Sequence, residues 1–317
     1  MTQGVVPRRP LLAPWYRLVG EGDRLLLAHG ESLIVLEGGA VGTLLPALLP
    51  LLDGRRSLDD LAARLGPAVR PAIEQAVATL AEHGAVVEGP DAPAELRAQA
   101  LAVAGAWGLP PAEAAERLQA ASVEVVGAAA AGIEVARLLR SAGIDQVRPG
   151  SWRCRGRVEL AVVAPAADEL DRLPGWNAAA LARGRRWLLL RPFDGHAATV
   201  GPLVVPGESA CHECLLRRLG ANLGLGSDIF EVETAPAAAV PDAPTEALLV
   251  ALAAQIALRW LVGRDTTLPG RLHVLAARRR VDISEHHVLR VPRCGACSSV
   301  GRLPAPLPWH AAELAAA

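Results

Sequence analysis

Two short apolar runs, Leu25-Leu26-Leu27-Ala28 and Leu33-Ile34-Val35-Leu36, lie on either side of His29-Gly30-Glu31-Ser32. Runs of this length around a polar, glycine-bearing gap predict a β-hairpin. Gly38-Gly39 ends it, and Val41, Leu44, Leu45, Leu48 and Leu52 then recur at helical spacing, with Pro46 and Pro50 predicting a short or kinked helix. Ser57, with Asp60 three residues on, has the form of a capping box and opens a helix whose Leu58, Leu61, Ala62 and Leu65 share one face. After Gly66-Pro67, a second stripe of Val69, Ile73, Ala76, Val77 and Leu80 runs to Gly84, and Ala85-Val86-Val87 returns as a strand. A hairpin, three helices and a closing strand make residues 1–92 a winged-helix-like module.

Gly89 to Pro93 reads as a linker, and the helical pattern that follows, broken at Gly108-Leu109-Pro110-Pro111, makes residues 93–121 a helical connection. From Ser122 strands and helices alternate: Val123–Val126, Ile133–Ala142, Glu159–Ala164, Trp176–Ala182, Trp187–Arg191. This alternation predicts an α/β domain over 122–317 with a largely parallel sheet. The long apolar run from Ala247 to Val262 contains Gln255 and Arg259 and falls short of a membrane span, so a buried helix is expected.

Two domains are the natural expectation for 317 residues. The chain is 51% hydrophobic but only 3% aromatic, so its interior must be built from Ala, Leu and Val. All 32 basic residues are arginine, which excludes lysine Schiff-base chemistry and a Walker-type phosphate loop. A formal net charge of −1 provides no bulk attraction to nucleic acid or to an anionic membrane. The first residues, with Pro7, Arg8, Arg9 and Pro10, lack the apolar core of a secretory signal, and the expected location is cytoplasmic.

The clearest chemistry lies in Cys211-x-x-Cys214 and Cys294-x-x-Cys297, two matched knuckles flanked by turn-forming residues. Four thiolates at this spacing suit a structural, tetrahedral Zn2+ with no open position. Such an ion would tie its affinity to folding, on the order of 10 kcal/mol at neutral pH. Paired disulfides, a redox Cys-x-x-Cys or unrelated buried thiols are the other readings of the same spacing, and a cytosolic setting disfavours the first. His212 and Glu213, inside the first knuckle, read as surface residues, and Cys154 as a buried, inert thiol.

The strand Val123–Val126 runs through Gly127-Ala128-Ala129-Ala130-Ala131-Gly132 into a helix, the setting of a dinucleotide-binding turn. Gly127 and Gly132 are present, but Ala129 places a methyl group at the middle glycine position. The next strand ends in Gln146-Val147-Arg148-Pro149-Gly150, without the acidic residue that a ribose would need. A packing turn is favoured over a nucleotide site, and ATP is not expected on this chain.

With these motifs in place, residues 122–317 resemble the ThiF/ubiquitin-activating superfamily, most specifically through Gly201-Pro202-Leu203-Val204-Val205-Pro206-Gly207-Glu208-Ser209-Ala210-Cys211-His212-Glu213-Cys214-Leu215 and the second Cys-x-x-Cys. The chain is most similar to the degenerate ThiF-like, leader-binding partner proteins of azol(in)e-forming peptide natural-product clusters. That resemblance implies a non-catalytic protein that binds a precursor's leader peptide by strand addition and presents it to a YcaO-type cyclodehydratase, which activates the amide at Cys, Ser or Thr. Carried onto this chain, the implied peptide-binding residues are Leu33, Ile34, Val35 and Leu36 on the strand and Arg70, Ile73, Glu74 and Val77 on the helix. The other reading of Leu33, Ile34, Ile73 and Val77 is that they fill the core, as about half of them are expected to, and alternation does not show which, because the first four residues are apolar throughout, consistent with a strand covered on both faces. Two rivals stand beside this reading: an ATP-dependent adenylating enzyme acting on a peptide, and a winged-helix DNA-binding regulator, for which the helix over Val69–Leu80 offers only Arg70 as a cation. Homodimerisation is left open.

Overall fold

The computed structural model describes residues 6–236, 242–277 and 280–298, and the chain divides after Ala120 into two compact units. In the first, strands β1 (Pro10–Leu12), β2 (Arg17–Glu21), β3 (Arg24–His29) and β4 (Ser32–Glu37) lead into helices α1 (Gly39–Thr43), α2 (Leu45–Leu48), α3 (Leu58–Leu65) and α4 (Arg70–Glu82). Strand β5 (Val86–Glu88) then pairs antiparallel with β1, and helices α5 (Ala94–Trp107) and α6 (Pro111–Ala120) pack on one another to complete the unit.

The predicted hairpin is β3–β4, with His29 opposite Ser32 and a two-residue turn whose Gly30 sits at φ +56°. A positive φ there matches the turn to the right-handed twist of the strands. Strand β2 extends this hairpin to a three-stranded antiparallel sheet in the order β2-β3-β4. It escaped the sequence pattern because all five of its residues are exposed, so no face needs to be apolar. Pro46 and Pro50 do divide the next helical stretch, into α1, α2 and a short 3-10 turn at Leu49–Leu51.

The capping box forms as read: the Ser57 hydroxyl accepts the Asp60 N–H at 3.2 Å, and Asp60 accepts the Ser57 N–H at 2.9 Å. Both are donors at the helix start that would otherwise have no partner. Leu25, Leu27, Leu45, Leu48, Leu61, Ile73, Val77 and Leu80 close the core of this unit.

The second unit contains β6 (Ser122–Val126), α7 (Ala130–Ser141), β7 (Gln146–Pro149), β8 (Leu160–Val163), α8 (Leu173–Ala182), β9 (Trp187–Arg191), β10 (Ala198–Val204), α9 (His212–Leu223), α10 (Ile229–Thr234), α11 (Ala243–Leu261), β11 (Arg271–Ala277) and β12 (Val281–His287). Its sheet runs β12-β11-β10-β9-β8-β6-β7. The β7, β6, β8 and β9 strands are parallel, while β10, β11 and β12 add antiparallel, so the sheet is mixed rather than largely parallel. The reason is local: the loop from β9 to β10 is too short for the helical crossover that a parallel partner requires.

Helix α11 covers the long apolar run. It is long and apolar enough to cross a membrane by length and composition alone, but half of its apolar window is buried in the unit, against α7 and β10. Asp242 caps it by accepting the Thr245 N–H at 3.0 Å.

Candidate functional sites: a strand-edge groove and a four-cysteine cluster

Among the described residues β4 pairs only with β3, so its other edge presents unspent backbone donors and acceptors. Side chains alternate along it: Leu33 and Val35 are exposed, by 60% and 41%, while Ile34 and Leu36 are half-buried against the core. One face of the strand is therefore open, where four apolar residues in a row had pointed to cover on both. Beside this edge lies a groove of about 470 Å3. Val35, Leu36, Ala40, Val41 and Leu44 form one wall, and Ala72, Gln75, Ala76 and Thr79 of α4 form the other. The last four, at i, i+3, i+4 and i+7, share a single helix face, and its two alanines leave room for another chain's side chains.

The helix face implied by the resemblance needs correction. Ile73 and Val77 are fully buried and belong to the core. Arg70 and Glu74 are joined at 2.8 Å, and Arg70 also pairs with Asp59, beside a polar depression lined by Arg8, Arg9 and Asp91. The groove wall starts one residue away, a rotation of about 100° around the helix. Apolar periodicity marks the side of a helix that the protein keeps for itself. The small and uncharged residues next to that stripe were the available sign of the open side.

In the second unit, Cys211 is the N-cap of α9 and Cys214 lies in its first turn, while Cys294 and Cys297 occupy the turn after β12. All four sulfurs fall within 4.8 Å of one another, and Cys211–Cys214, Cys211–Cys294 and Cys214–Cys297 are separated by 3.8, 3.8 and 3.5 Å. A tetrahedral ion with metal–sulfur bonds of about 2.3 Å would hold its ligands about 3.8 Å apart. The donor set thus fits a metal ion with all four positions filled by protein, which would brace the fold and leave no place for substrate. Arg218 donates to the Leu289 and Arg290 carbonyls, and Arg290 to those of Gly207 and Cys297, so two guanidinium groups also hold the second knuckle against the first.

Within this cluster the Cys214 thiolate is favoured, down to about 4, by hydrogen bonds led by that from Cys211 and including the Val291 N–H at 3.3 Å. Burial pushes the Cys294 thiol up to about 11, and the shared proton with Cys214 raises Cys211 further. His212 is not a surface residue. It is buried, its ring 6.3 Å from that of Trp187 and its N–H donated to Asn177, and burial lowers its pKa to about 4. Glu213 is half-buried and pairs with Arg217 at 2.8 Å. From Trp187 the rings of Trp176 and Trp152 continue edge-to-face, with centroids 6.4 and 6.2 Å apart. Cys154 is fully buried, as expected.

Gly127, at φ +102°, and Gly132 are packing glycines: a Cβ would come within 2.1 Å of the Ala164 carbonyl oxygen at the first and 2.9 Å of the Ala164 methyl at the second. Between them the Ala128 N–H donates to Glu169 at 2.7 Å, and the Ala129 N–H to the Ala164 carbonyl at 3.3 Å. A crevice of about 190 Å3 beside the turn is lined by Val125, Ile133, Ala136, Arg140, Arg148 and Pro149, with no carboxylate.

No family model and no curated protein matches this sequence. Solved structures do. A heterocyclase in complex with substrate and cofactor matches with a TM-score of 0.71 at 23% identity, over 94% of this chain and 41% of that one. The heterocyclase TruD matches with a TM-score of 0.70 at 23% identity, over 95% and 45%. Escherichia coli MccB, with AMPCPP and MccA, matches with a TM-score of 0.57 at 14% identity, over 91% and 99%. This chain shares the fold of TruD and MccB. It spans less than half the length of the two heterocyclases and the length of MccB almost completely. Other MccB structures that match contain ATP or N-formylated MccA.

Proposed function

We propose that this chain is a non-catalytic peptide-binding protein: a winged-helix-like module captures the leader of a ribosomal precursor, and the cysteine-braced unit is a platform that presents it to a YcaO-type cyclodehydratase for azoline formation. The observation that carries this reading is the pairing of a free β4 edge with a groove floored by Ala72 and Ala76. An extended peptide would add to the edge by backbone hydrogen bonding and lay alternate side chains into the groove. The shared fold with TruD and with MccB, whose structures include the peptide MccA, supports a precursor peptide as the occupant. In this reading Cys211, Cys214, Cys294 and Cys297 hold a structural Zn2+, and Gly127 and Gly132 serve packing rather than ATP.

MccB, whose matched structures include an ATP complex, favours a second reading, an adenylating enzyme with its own peptide clamp. Two measurements separate them. Fluorescence polarisation with labelled leader segments from precursors encoded near this gene should give saturable binding, weakened at least about tenfold by filling the groove with Ala72→Trp. Pyrophosphate exchange should stay at background with the same peptides. Binding by none of those leaders would refute the first reading, and peptide-dependent exchange would establish the second.

A further inference from the structure

Glu169 is a buried carboxylate that plays no part in peptide capture, and its surroundings are unusual. It is only 8% exposed, and four donors converge on it: two from distant segments, at Ala128 and Trp152, and two from its own stretch, at Ala166 and Arg172. One oxygen accepts the Ala128 N–H at 2.7 Å, from the turn between β6 and α7, and the Ala166 N–H at 3.1 Å, from the loop after β8. The other accepts the Trp152 indole N–H at 3.0 Å and an Arg172 nitrogen at 3.3 Å. Arg172 also lies over the Trp152 ring, 5.9 Å from its centre.

Two backbone N–H groups, an indole and a guanidinium around one pair of oxygens form an anion receptor, and one of the donors belongs to the glycine turn that a nucleotide-binding fold aims at phosphate. We infer that this turn retains its anion-binding capacity but is filled from within by Glu169, so that a nucleotide's phosphate is shut out by occupancy as well as by the Ala129 methyl group. The inference rests on the reading that the chain works without nucleotide. It adds a residue that enforces this. Glu169 is a positioning residue: its negative charge joins the turn and the Trp152 segment to its own stretch, from Ala166 to Arg172. Removal of the side chain leaves four donors around a space the size of a small carboxylate, and a buried donor without a partner is costly.

Chemical rescue tests the inference on the full chain. Melting temperatures of wild type, Glu169→Ala and Glu169→Ser are compared in sodium formate, in inorganic phosphate, in ATP and in sodium chloride of equal ionic strength. Serine leaves most of the space free while its hydroxyl satisfies one donor, so it carries the test if the alanine variant does not fold. Wild type is expected to show no anion-specific response. The variants should melt about 5 °C lower in chloride and recover about half of that loss in about 100 mM formate or phosphate. Equal melting in formate, phosphate and chloride for folded variants would overturn the inference, as would ATP binding by wild type with Glu169 intact. Leader binding, measured in parallel, tests peptide capture alone.

Discussion

The edge of β4 and the turn at Gly127 are both places where a backbone has hydrogen-bonding groups to offer, and they differ in what has become of those groups. Along β4 one row remains unspent among the described residues, next to a groove kept open by Ala72 and Ala76. At the turn the Ala128 and Ala129 N–H groups are consumed by Glu169 and by the Ala164 carbonyl. A fold lineage records only where a ligand could sit. The accounting of donors shows whether the position is still for hire.

The largest expected effect tests the platform. If the four cysteines hold an ion, Cys294→Ser or treatment with a strong chelator should remove it and abolish the cooperative unfolding of the second unit, because metal affinity on the order of 10 kcal/mol would be part of its folding free energy. Metal analysis and a thermal melt check this, and an unchanged melt in both treatments would mean that no ion held by these cysteines braces the fold. Next, Ile73→Ala should cost about 2–5 kcal/mol by opening a cavity in the first unit, as read by denaturant unfolding. Ala72→Trp, one face over and exposed, should instead leave stability almost unchanged and weaken leader binding at least about tenfold, about 1.4 kcal/mol. If the two substitutions behaved alike, the division of α4 into a core face and a ligand face would be wrong.

Smaller effects probe the closed turn. Burial alone would raise the pKa of Glu169, but the Ala166 and Ala128 N–H groups, Trp152 and Arg172 together hold it below the usual glutamate range. A carboxylate depressed in the folded state contributes stability that is full above its unfolded pKa and is lost as pH falls through the folded value. Acid titration of stability should therefore be shallower in Glu169→Gln than in wild type over that window. The smallest effect belongs to Ala129→Gly, which restores the missing middle glycine. It should cost at most about 1 kcal/mol of stability and confer no ATP binding in a calorimetric titration, since Glu169 stays in place. ATP binding by this variant would shift the burden of exclusion from the carboxylate to the methyl group.

How much of this was legible depended on the kind of signal. The β3–β4 hairpin, the Ser57 box and the two cysteine knuckles are local patterns with a fixed spacing, and each is present as read. Strand β2 is exposed on every residue and so left no alternation to find. The strand edge and the helix wall both came from the family resemblance rather than from a local pattern, and the wall was carried onto Ile73 and Val77 although these repeat at the spacing of a core stripe, while the exposed Ala72 beside them gives no periodic signal. His212 looked superficial through its polarity, although the N-terminus of α9 turns it inward against Trp187. Glu169 stood out by no sequence motif, since its partners at 128 and 152 converge on it only through the tertiary fold.

The row of indoles from Trp152 through Trp176 to Trp187 ends at His212, the neighbour of two cysteines, and begins at the carboxylate of Glu169. Intrinsic fluorescence should thus respond to disturbance at either end, through a chromophore array already in place and without an added dye. The protein carries its own optical gauge.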